Sequence, residues 1–238
     1  MRHKISSVLK LLIPVMASVG LILNFVSANA DGYSHWTKRL LYFTTLSNVW
    51  ISVSLILILL IPFVKAWKDS TRVKNVLYIV RFVFVISITL TGFIFCCVLA
   101  PGAKYDNYNA WTVGSVFVHV LVPIFSVADF FIDTYRINIK WSHVALTLVP
   151  PLIYLVFASV LGAIGVDFGR GDTFPYFFMN YSSPAGIFGV SDVMPYRIGS
   201  FYWIVFMLVV IISLGALYRR LYNGKKAKST DPCKENND

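Results

Sequence analysis

Six stretches of this chain carry no Lys, Arg, Asp or Glu for long enough to cross a bilayer: 11–30, 40–64, 82–103, 107–128, 144–166 and 198–218. At 1.5 Å per residue the shortest makes a helix of about 30 Å, the thickness of a hydrocarbon core. Only 13% of the residues are charged, too few to cover a water-facing surface of a domain this size. The pattern predicts an all-α fold, a bundle of six transmembrane helices in a multi-pass protein of the cell membrane. A seventh uncharged stretch, 173–191, contains Pro175, Asn180, Pro184, Gly186 and Gly189, which would leave backbone groups unpaired in lipid. It reads as a long outer loop between helices five and six that carries Phe174, Tyr176, Phe177, Phe178 and Tyr181 at headgroup level.

Basic residues set the expected orientation. With a cytoplasmic N-terminus, sixteen Lys and Arg fall inside and five outside (Lys38, Arg39, Lys104, Arg170 and Arg197), which puts both termini in the cytoplasm. A net charge of +10 on so apolar a chain points to anionic lipid headgroups at the inner face rather than to nucleic acid. The bundle is expected over 1–222, with 223–238 a polar, basic cytoplasmic tail. Ala28-Asn29-Ala30 before Asp31 has the small residues of a signal cleavage site. A retained first helix is nevertheless the expectation, because the apolar part is longer than a signal core and five more spans follow; intact mass distinguishes the two. Sequence arithmetic leaves the oligomeric state open.

Polar groups at membrane depth are few. His119 lies about 12 Å in from the end that Trp111 marks, and an imidazole there needs a partner. It is either a packing hydrogen-bond donor or a base, proton carrier or ligand. The second span concentrates Thr44, Thr45, Ser47 and Asn48, with Thr44, Asn48 and Ser52 on one face. Thr44 follows Trp36 by eight residues, as His119 follows Trp111, so the two share one depth. A hydroxyl beside an imidazole in a dry cleft is the minimum for nucleophilic attack on a carbonyl carbon. Alternatively the hydroxyls bond back to carbonyls one turn earlier. Asp129 is too far along the helix to orient His119; it and Asp133 read as an interfacial ion pair with Arg81 or Arg136. His3, His35 and His143 extend no ligand cluster, so no metal site is expected, and no cofactor motif is present. Cys96 and Cys97 are rival nucleophiles at comparable depth, more naturally packing residues.

Tyr42-Phe43-Thr44-Thr45-Leu46-Ser47-Asn48 together with His119-Val120-Leu121-Val122-Pro123 resembles the pattern of the bacterial Pr6Pr membrane proteins, and more remotely the eukaryotic androgen-induced-gene family. That resemblance implies an intramembrane threonine hydrolase of esters joining a fatty acid to a hydroxy fatty acid. It puts Thr44 as nucleophile, with Thr45 the alternative, and His119 as base. Thr45, Ser47 and Asn48 would then contact the substrate, and Asn48 is the one nearby amide for an oxyanion. The competing expectation is a lipid-binding or transport protein that uses the same polar groups to line a cavity.

Overall fold

A computed structural model describes residues 2–103, 109–169 and 171–229. Expectations for Lys104, Arg170 and the basic side chains of the tail from Lys225 onward fall outside what it describes. The described chain is all-helical, with two isolated β-bridges and no strand. Six helices are long and apolar enough to cross a membrane, the architecture of a multi-pass membrane protein. We label them α1 (Arg2–Val26), α2 (Phe43–Leu60), α3 (Thr71–Gly102), α4 (Val113–Ile132), α5 (Trp141–Ala163) and α6 (Ser200–Ser229). In such a span every backbone polar group bonds within the helix, so long apolar runs have no competing fold.

The first four helices form the body. α3 lies at its centre, with 61% of its most apolar window buried, against 17% for α6. Its Phe82, Val85, Ile86 and Ile88 meet Ile51 and Leu55 of α2 and Ile13 of α1 in one core. Gly92 lets α3 approach α4 closely: a Cβ there would come within 2.8 Å of the His119 carbonyl oxygen. α5 turns at Thr147 and Leu148 ahead of Pro150 and Pro151, where backbone donors are missing.

Charge-free runs misplace several helix ends. α3 starts at Thr71, where the Ser70 hydroxyl accepts the Val73 N–H at 3.2 Å, ten residues before Arg81. Arg81 is therefore inside the helix and 1% exposed. It is tolerated there because it bonds both Asp129, at 2.6 Å, and Asp133. Lys10 of α1 completes the cluster, 3.1 Å from Asp129 and 2.8 Å from Asp133, and the Ser6 hydroxyl donates to Asp129 at 2.6 Å. The expected Asp–Arg81 pairing is thus part of a larger, formally neutral group that joins three helices. Arg136 stands apart from it, donating to the Phe131 carbonyl at 2.7 Å and lying over the Tyr222 ring.

Burial would raise the Asp133 carboxyl, but the Arg81 and Lys10 charges outweigh it and hold Asp133 below its ordinary value. A carboxylate depressed in the folded state lends stability that is complete above its unfolded pKa and is lost as pH falls through the folded one. Detergent-solubilised protein should therefore keep its unfolding temperature from neutral pH down to about pH 4 and lose it below. In Asp133→Asn that acid limb should be shallower.

Candidate active site

The second span does not open as one helix at Trp36. Trp36–Leu41 is a 3-10 helix entered through His35, whose ring accepts the Thr37 N–H at 3.3 Å. The chain then extends at Tyr42 (φ −87°, ψ 140°) before α2 begins at Phe43. Thr44 consequently sits in the first turn of α2, among N–H groups without intrahelical partners, rather than deep in a continuous span. Ties to the rest of the chain fix this corner: Lys38 donates to the Asp167 carbonyl at 2.5 Å, Arg39 pairs with Asp31, and Tyr154 donates to the Leu41 carbonyl at 3.1 Å.

His119 lies in a π-helical turn of α4, Phe117–Leu121, where the Val122 N–H reaches back to Phe117. A second such turn, Phe95–Leu99, interrupts α3. Wide turns of this kind often accompany functional sites because they re-aim side chains. Here Phe95 stacks on the His119 ring at 4.0 Å and 13°. Cys96 and Cys97 lie on the exposed side of the same turn.

The hydroxyl and the imidazole meet. Thr44 Oγ1 is 3.2 Å from His119 Nε2, and His119 Nδ1 is 3.0 Å from the Ser115 carbonyl oxygen. A carbonyl only accepts, so Nδ1 carries the proton and Nε2 is left as acceptor for the Thr44 O–H. The orienting group missing from the sequence argument is thus a backbone carbonyl four residues away, which has no side-chain signature.

The neighbouring hydroxyls are engaged elsewhere. Thr45 donates to the Arg39 carbonyl at 2.7 Å. Ser47 donates to the Thr44 carbonyl at 3.1 Å and shares a 2.8 Å bond with Thr91. Asn48 gives its amide to two carbonyls, Thr44 at 2.8 Å and Val118 at 3.1 Å. With both amide hydrogens used, Asn48 clamps the two segments and has none left for an oxyanion. No family model matches this chain, and no curated protein or solved structure does either. What the site can do therefore rests on its own geometry.

Thr44 borders two cavities. A polar one of about 360 Å³ is lined by His119, Arg39, Asn24, Asn109, Thr112 and Asn180. An apolar cleft of about 90 Å³ runs the other way between Leu90, Ile94, Leu152, Leu155, Met207 and Ile211. Thr44, Leu99 and Tyr176 line both. Tyr176 comes from the segment between α5 and α6, whose aromatic residues turn inward onto the bundle. Phe178 and Met179 there are buried, and Phe177 meets Trp203 of α6 edge-on at 5.6 Å. Among the described residues no group of three His, Cys, Asp or Glu side chains is arranged to hold a metal ion.

Proposed function

We propose that this protein is an intramembrane hydrolase of lipid esters, with Thr44 as nucleophile and His119 as general base. The 3.2 Å contact between Thr44 Oγ1 and His119 Nε2 carries the reading, because a base must reach the proton it removes. Oγ1 forms a bond to the ester carbonyl carbon as its proton passes to Nε2. The tetrahedral intermediate collapses, the bond to the leaving alcohol breaks, and His119 returns the proton to that oxygen. Water then attacks the acyl-threonine by the same route, releasing the fatty acid and restoring Thr44.

The two cavities suit the reacting end of a lipid ester, the first few methylenes of its acyl chain in the apolar cleft and its polar groups beside Arg39 and His119. The motif resemblance to the Pr6Pr and androgen-induced-gene patterns would narrow the substrate to a fatty acid ester of a hydroxy fatty acid. We place the protein in the cell membrane with both termini cytoplasmic, its basic face on anionic lipid and the site toward the outer leaflet.

Capture tests the reading directly. Purified protein treated with a long-chain fluorophosphonate should carry the adduct on Thr44, located by peptide mass spectrometry, and prior incubation with a fatty ester should protect it. An adduct on Thr45 or Cys96 and none on Thr44 would reassign the nucleophile. The size of the polar cavity favours a second reading, a lipid-binding protein without turnover; in that case lipid would co-purify unchanged and no ester would be cleaved.

A further inference from the structure

Tyr176 is the residue of the site that neither Thr44 nor His119 explains. Its ring is locked, stacked on Phe178 at 5.0 Å and 10°, edge-on to Tyr42 at 5.6 Å, and packed against Tyr154 at 6.4 Å. It lines both cavities, as Thr44 does. Its phenol oxygen lies beside the Thr44 hydroxyl and the first N–H groups of α2, at Phe43 and Thr44. Those amides belong to the first turn of α2, which has no side-chain cap at Tyr42. The Thr44 O–H is given to His119 Nε2, so the proton between Thr44 and Tyr176 is the phenol's own.

We propose that the Tyr176 hydroxyl is the oxyanion donor of this site, hydrogen-bonding the carbonyl oxygen of an ester whose carbonyl carbon lies at Thr44 Oγ1. The proposal rests on the hydrolase reading and supplies the stabilising group that reading lacks, since the Asn48 amide is consumed. As Oγ1 bonds to carbon, the carbonyl electron pair moves onto oxygen and the Tyr176 O–H follows it. When the pair returns and the leaving alcohol departs, the tyrosine has neither gained nor lost a proton. Burial pushes the phenol up to about 12, so the O–H stays intact at neutral pH. Donors held in place before charge develops are the largest single contribution in many acyl-transfer sites.

The test compares wild type, Thr44→Ala and Tyr176→Phe, purified full-length in detergent, on one long-chain ester. Tyr176→Phe should lower kcat by about 10²–10³-fold with KM and unfolding temperature little changed, and should slow fluorophosphonate capture of Thr44, whose phosphoryl oxygen needs the same donor. Tyr176→His, which returns a ring-borne donor, should recover part of kcat. Wild-type kcat in Tyr176→Phe, with Thr44→Ala dead in the same assay, overturns the proposal and leaves the hydrolase standing. Wild type as inactive as Thr44→Ala overturns both. If Tyr176→Phe is also unstable, no recovery in a stable Tyr176→His overturns the oxyanion role.

Discussion

Thr44→Ala and His119→Ala should each reduce ester hydrolysis by about 10³-fold, and the double variant should be no slower than Thr44→Ala alone. The first change removes the attacking oxygen. The second removes the acceptor for its proton, and positioned bases contribute roughly 10²–10⁴-fold. Groups that act as one unit lose nearly everything at the first deletion, so the shortfall from additivity is diagnostic. Thr44→Ser, which keeps the hydroxyl but frees a rotamer that the β-branch restricts, retains part of the rate. Measured with a long-chain ester in micelles, multiplicative losses in the double variant would show that the two residues work separately. Unchanged rates in both single variants would remove the mechanism.

Arg81→Ala should destabilise the folded protein by about 3–5 kcal/mol, the cost of leaving a buried charge without its partner. Asp129 and Asp133 would then face Lys10 alone. Because the cluster holds two cations and two anions, charge balance is a sharper test than the loss itself. Lys10→Met leaves one carboxylate in excess, and adding Asp133→Asn restores neutrality, so the double variant should unfold at a higher temperature than Lys10→Met. Added salt should change none of these differences much, since buried pairs are weakly screened. A double variant less stable than the single one would mean that the individual bonds matter and the balance does not.

The six helices were legible because a lipid-crossing backbone has so few alternatives. Their ends were not, for a physical reason: absence of charge marks a span only while charges stay outside it. Arg81 and Lys10 violate that premise together, each tolerated inside because Asp129 and Asp133 neutralise both, and a scan of one segment at a time cannot see a partner on another helix. Equal offsets from Trp36 and Trp111 put Thr44 and His119 at one depth, but only the folded chain shows that the two side chains meet. The offsets did not reveal that the chain between Trp36 and Leu41 is 3-10, or that Tyr42 breaks it, so the helix N-terminus under Thr44 went unseen. Ser115 was invisible because its carbonyl does the work. Tyr176 is one of five aromatic residues in that uncharged segment, and nothing in their spacing marks it as the one that borders both cavities.

Asn48 bonds the carbonyl of Thr44 with one amide hydrogen and that of Val118, the neighbour of His119, with the other. It thereby acts as a gauge, holding the two backbones at a fixed span whatever their side chains are. Substitutions at Thr44 and His119 can be made on a scaffold that does not relax, while a change at Asn48 would detune both partners without touching a ligand. The distance between hydroxyl and imidazole is thus set by an amide that bonds neither side chain.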